Sequence, residues 1–128
     1  MRKIEQALIN ALRNQENLNK GNTSVEHFQD IKTPGFETDV ISEVRLHGNL
    51  IAEFNRAANA ITFYDCGWRS VTTKSRLNAL LSEFAPGWSV VQRSSEWLLV
   101  KSPARDNHRI QLPFNGCATF RGGNLIRD

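Results

Sequence analysis

Ile4, Leu8, Ala11 and Leu12 recur at the spacing of one helical face, which predicts an amphipathic helix over residues 2–14 that frays into the polar Asn14-Gln15-Glu16-Asn17 stretch. A Lys20-Gly21-Asn22 turn follows, and residues 23–28 read as a strand. Residues 29–39 combine Pro34-Gly35 with an acidic bias and read as a long loop. Gly48-Asn49 then separates two β-prone runs, 40–47 and 50–55; a two-residue connection with glycine first predicts a type II′ hairpin. After an Arg56-Ala57-Ala58-Asn59 turn, residues 60–66 carry Ile61, Thr62, Phe63 and Tyr64 and complete a three-strand meander.

The second half opens on a helix. Leu77, Leu80, Leu81 and Phe84 fall at i, i+3, i+4 and i+7, predicting a helix over 73–84 that Pro86-Gly87 stops. Runs 88–93 and 96–101 form a hairpin across Ser94-Ser95, with Trp88 and Trp97 placed to pack on the leucine stripe. Runs 108–112 and 117–120 are shorter strands, and Gly122-Gly123 opens a tail over 121–128 expected to fray. Hairpins on both sides of a central helix indicate an α+β fold. The expected form is a single domain over 1–128, with one antiparallel sheet built from two hairpin or meander halves and the N-terminal and central helices on one face. A doubly wound parallel sheet is not expected, because its crossovers need a helix between most strands.

A chain of 128 residues with 40% hydrophobic content can bury a working core without disulfides or metal. No apolar run approaches the roughly 18 residues that cross a bilayer, and the first residues are charged where a signal peptide turns apolar. A soluble, unsecreted, cytoplasmic protein without a membrane partner is expected. Cys66 and Cys117 lie far apart, and neither they nor His27, His47 and His108 have ligand spacing, so free thiols and no metal or cofactor are expected. The net charge of +3 conceals an asymmetry: residues 1–65 carry seven Lys/Arg against nine Asp/Glu, and residues 66–128 nine against four. All three tryptophans lie in the basic half, a combination suited to a phosphate-bearing partner.

That combination is densest at the start of the central helix. Thr72 or Thr73 is placed to cap the first turn, and Lys74, Ser75 and Arg76 surround backbone N–H groups that already carry positive partial charge. With Arg69 beside them and Trp68 as a stacking surface, these residues form a candidate anion site. No acid follows until Glu83, so the charges run against the helix dipole at both ends unless Asp65 or a glutamate of the hairpin answers them. Thr-Thr-Lys-Ser lacks the glycines of a phosphate-binding loop, so nucleotide hydrolysis is not implied. Cys66, beside Asp65 and one hairpin from His47, reads either as a thiolate nucleophile or as a small residue at a strand end.

Gly21-Asn22-Thr23, Leu46-His47-Gly48-Asn49-Leu50-Ile51-Ala52 and Gly67-Trp68-Arg69-Ser70-Val71-Thr72-Thr73-Lys74-Ser75-Arg76-Leu77-Asn78-Ala79-Leu80-Leu81, in that order behind a short charged helix, resemble a loose group of small proteins of tailed bacteriophages. The resemblance covers about residues 1 to 100 and leaves the 29–39 loop and the end after Gly116 unmatched. It implies expression in an infected bacterial cytoplasm and brings no activity with it. The resulting expectation is a non-enzymatic binding protein that acts on host machinery or a host defence. Its candidate partners are a nucleotide, a nucleic acid or a host protein. A nucleic-acid-processing enzyme and a structural or virion-associated protein are the alternatives; the enzyme needs a base or metal carboxylates near the cationic turn, where only Asp65 is close.

Overall fold

The computed structural model describes residues 2–30, 39–67, 69–102 and 110–127. Helix α1 (Lys3–Asn14) leads into β1 (Leu18–Lys20), β2 (Thr23–Asp30), β3 (Asp39–Leu46), β4 (Asn49–Asn55) and β5 (Ala60–Tyr64). Helix α2 (Val71–Phe84) is followed by β6 (Trp88–Arg93), β7 (Glu96–Lys101), β8 (Ile110–Pro113), β9 (Cys117–Arg121) and β10 (Asn124–Arg127). The fold is α+β, with every strand pair antiparallel.

The strands divide between two sheets where one was expected. Seven form the order β1-β2-β3-β4-β5-β9-β10, and β6-β7-β8 stand as a separate sheet beside α2. Strand β9 returns from the second half to pair with β5, setting Ile61 against Phe120 and Phe63 against Ala118. Alternation does the rest: Val25, Val44, Ala52, Phe54, Ile61, Phe63, Ala118 and Phe120 all face the helices and are buried. From α1, Leu8, Ile9, Ala11 and Leu12 meet this face, and from α2 Leu77, Leu80 and Leu81, each of these leucines at most 1% exposed. Burying such a side chain contributes on the order of 1.5 to 3 kcal/mol. Trp88 and Trp97 are core, as expected: the Trp88 ring joins the two sheets by meeting Phe120 of β9 at 5.4 Å, and the Trp97 ring meets Phe114, just past β8 of its own sheet, at 6.2 Å.

Several boundaries differ from the sequence reading. The helix expected from Thr73 begins at Val71, because Ser70 takes the cap: its Oγ accepts from the Thr73 N–H at 3.0 Å. Strand β1 carries too few residues to show a pattern. Gly122-Gly123, read as the start of a frayed tail, instead turns the chain back at φ 56° and 85°, so that β10 pairs with β9. Of the predicted loop at 29–39, both ends are strand and residues 31–38 lie outside the described residues, as does His108.

The first hairpin forms one residue earlier than expected. Leu46 pairs with Asn49, so the turn is His47-Gly48, with φ of 50° and 81°; positive φ at both central residues is type I′, not II′. A bulge between Val44 and Arg45 absorbs the offset and keeps Ala52 and Phe54 facing inward. A Cβ on Gly48 would meet nothing within 4 Å, so any cost of a side chain there is conformational. Gly48→Val is expected to lower unfolding free energy by about 1 to 2 kcal/mol, and Gly48→Asn by clearly less, since asparagine tolerates the left-handed region. Chemical denaturation of both variants checks this; equal losses would place the cost elsewhere than in backbone conformation.

Candidate anion site at the start of the central helix

With Val71 as the first helical residue, Lys74 sits at the end of the first turn and Arg76 in the second. The first turn holds no acid and the last no base, so the unusual charge order of α2 stands as read. What answers it is α1. Glu5 lies on the apolar stripe of α1 with Leu8 and Leu12, is 3% exposed, and accepts from Arg76 Nη1 at 2.8 Å and from the Ser75 hydroxyl at 2.6 Å. Arg76, also 3% exposed, completes its donors with Thr23 Oγ1 at 3.3 Å and Asn22 Oδ1 at 3.5 Å, tying both helices to the β1–β2 turn. Burial by itself would raise the Glu5 carboxyl. Hydrogen bonds from Ser75, Arg76 and the Arg2 backbone, together with the Arg76 charge, outweigh it and hold the group below its ordinary value of 4.5. At the other end, Arg13 Nε donates to Glu83 Oε1 at 2.9 Å on an exposed surface.

The remaining candidates separate. Arg69 donates from Nε to Asp65 Oδ2 at 2.8 Å and from Nη2 to the Phe114 carbonyl at 2.7 Å, and its guanidinium lies 5.5 Å from the Trp97 ring centroid. Asp65, buried, also accepts from the Gly67 N–H at 2.8 Å. Arg69 and Arg76 therefore serve different contacts, one beside the small sheet and one under α1. Thr73 is fully buried against Ser70 Oγ, and Ser75 is committed to Glu5. Thr72 and Lys74 are half-buried and, among the described residues, their side chains make no hydrogen bond or ion pair. Trp68 lies outside the described residues.

Two other polar arrangements have the residue types of catalysis. His27 Nε2 donates to the Glu16 carbonyl at 2.7 Å, and its Nδ1 shares a hydrogen bond of 2.7 Å with the Ser42 hydroxyl. Ser42 is 0% exposed and its other neighbour is the Arg56 guanidinium, so no substrate reaches its oxygen. Arg56 also donates to the Leu12 carbonyl at the end of α1, a cation where the helix dipole favours one. Cys66 is exposed at φ 55° and donates to the Leu50 carbonyl. Burial, then the Asp65 charge, push its thiol up against a weaker pull from Arg45, which disfavours the nucleophilic thiolate. Among the described residues no group of three His, Cys, Asp or Glu is arranged to hold a metal.

A model built for the Kyanoviridae Gp96 protein family matches residues 1–121. The chain belongs to that family. It is a phage protein, as the sequence resemblance implied. The family match runs past residue 100 and spans residues 29–39 and β9, both beyond the reach of the resemblance. Comparison with curated proteins and with solved structures gave no match. No helix among the described residues of this family member is long and apolar enough to cross a membrane.

Glu5 is the residue the sequence reading missed, although an acid inside an apolar stripe was the available signal. Glu5→Gln keeps the shape but leaves Arg76 buried without a counter-charge, and is expected to cost about 3 to 5 kcal/mol near neutral pH. Because the folded carboxyl titrates below the unfolded one, its contribution is complete above the ordinary value and lost as pH falls through the folded value. Wild-type stability should therefore fall on acidification more steeply than that of Glu5→Gln. Denaturation series at several pH values test this; parallel slopes would remove Glu5 from the acid response.

Proposed function

We propose that this phage protein works as a small non-enzymatic binder in the infected host cytoplasm, directed at host machinery or a host defence, and that the start of α2 holds a phosphate-bearing ligand. Lys74 carries the reading: a half-buried cation without a carboxylate partner among the described residues, next to a first turn that contains no acid. Thr72 stands beside it with an uncommitted hydroxyl, and the N-terminal dipole of α2 adds to the same field. Arg69 flanks the turn while held by Asp65, and Trp68 is proposed as the stacking surface. Thr73, Ser75 and Arg76 take a supporting part, fixing the turn through Ser70 and Glu5.

Calorimetric titration with ATP and with a single-stranded oligonucleotide as probes tests the proposal. Lys74→Glu should weaken binding by about tenfold or more, equivalent to about 1.4 kcal/mol, with a melting midpoint that does not fall, because Lys74 is outside the leucine stripe and an acid suits this end of the helix. Affinity for the oligonucleotide should fall steeply with salt through counterion release, and that for ATP more gently. Absence of wild-type binding to either probe, or binding that Lys74→Glu leaves unchanged, would return this turn to a purely structural role.

A further inference from the structure

Strand β2 is eight residues long and pairs with β3 along its whole length, whereas β1 covers it only from Thr23 to Val25. Among the described residues no strand pairs with the remainder, Glu26–Asp30, on the β1 side. Beside the start of β1, Asn17, Leu18 and Asn19 and, across from them, Ser24, Val25, Glu26 and His27 line an open cleft of about 570 Å³. Phe28, next along this edge, is 45% exposed.

The register fixes which groups the edge presents. Gly21-Asn22 is a two-residue connection, so its flanking pair Lys20 and Thr23 is hydrogen-bonded, and every second residue of β2 turns its N–H and C=O toward β1. Beyond Val25 these are His27 and Gln29. Glu26 and Phe28 turn their backbone groups to β3 and are therefore the positions at which an incoming strand comes closest side chain to side chain. On the outer face Glu26 lies opposite Glu43, which lies opposite Glu53; Arg45, two residues along β3, provides a cation 3.0 Å from Glu43. Like charges directly opposite on neighbouring strands are unfavourable, and a basic residue beside Glu26 relieves them. Phe28 lies opposite Ile41, so the next position in the same face is apolar.

We infer that the β2 edge at Glu26–Asp30 is a docking site for an extended segment of a partner protein, which adds as an antiparallel strand with an apolar residue opposite Phe28 and, two residues later, a lysine or arginine opposite Glu26. Main-chain bonds to His27 and Gln29 supply affinity; the Glu26 and Phe28 positions supply selectivity. The site lies at the β1 end of the large sheet and shares no residue with the α2 turn, so each stands or falls alone.

The test uses the blocked peptide Thr-Thr-Ile-Thr-Lys-Thr, and the same peptide with Glu for Lys, titrated against the full chain by amide NMR. The lysine peptide should give saturable shifts centred on His27–Asp30 and bind roughly fivefold tighter than the glutamate peptide. Glu26→Lys should reverse that preference, a result that a structural role of Glu26 would not produce. Gln29→Pro deletes an edge N–H and leaves the β3 ladder intact, so it should abolish binding of both peptides with an unchanged melting midpoint. No saturable shift at millimolar peptide, shifts centred elsewhere, or binding retained in Gln29→Pro overturns the proposal. So does a peptide-free dimer in sedimentation that Gln29→Pro dissolves, since a second copy would then be the occupant.

Discussion

The pairing of Glu5 with Arg76 is the constraint on which the arrangement of this chain turns. Each charge is buried, and each would be costly alone; together, with Ser75, Thr23 and Asn22 filling the remaining hydrogen-bonding positions, they can sit beneath the helices. The pair also sets direction. Glu5 is near the start of α1 and Arg76 is in the first half of α2, while Arg13 and Glu83 meet near the two ends, so the helices run parallel. Their spacing, eight residues on one helix and seven on the other, keeps both contacts in register. Charges that oppose the dipole of α2 are thus matched by charges that obey the dipole of α1, and the two helices are electrostatically one unit.

This accounts for the part of the site that sequence made visible and the part it did not. An unusual charge order at the α2 start was readable from Lys74, Arg76 and the missing acid. Its partner was not, because Glu5 lies seventy residues away and nothing local joins the two. The cap was misplaced by two to three residues for a smaller reason: Ser70, Thr72 and Thr73 are all competent caps, and which hydroxyl meets which N–H is settled only by the entry angle of the chain. Once Ser70 takes that role, Arg76 turns inward to Glu5 and Lys74 is left without a carboxylate partner among the described residues.

The same division runs through the fold. Ser94-Ser95, the Arg56–Asn59 turn and the leucine stripe are local features, and their elements fall where periodicity and turn chemistry place them. The join of β9 to β5 and the separation of β6-β7-β8 are not local. Strand β9 has the same alternation whether it pairs with its neighbour in sequence or with a strand more than fifty residues earlier, and only the fit of Phe120 between Phe63 and Trp88 decides. At His47-Gly48 the error was one residue, because a bulge lets the pattern of inward residues survive a shifted turn.

The β5–β9 join has a consequence for how the chain is made. Until Cys117–Arg121 leaves the ribosome, the meander ends at β5 with a bare hydrogen-bonding edge, and the apolar residues destined to face Phe120 and Ala118 have no cover. Synthesis must pass Arg121 before the large sheet can close, so its completion follows the slow kinetics of distant β pairing. The nascent protein passes through an interval with an adhesive strand exposed, in a crowded cell where other copies are being translated at the same time.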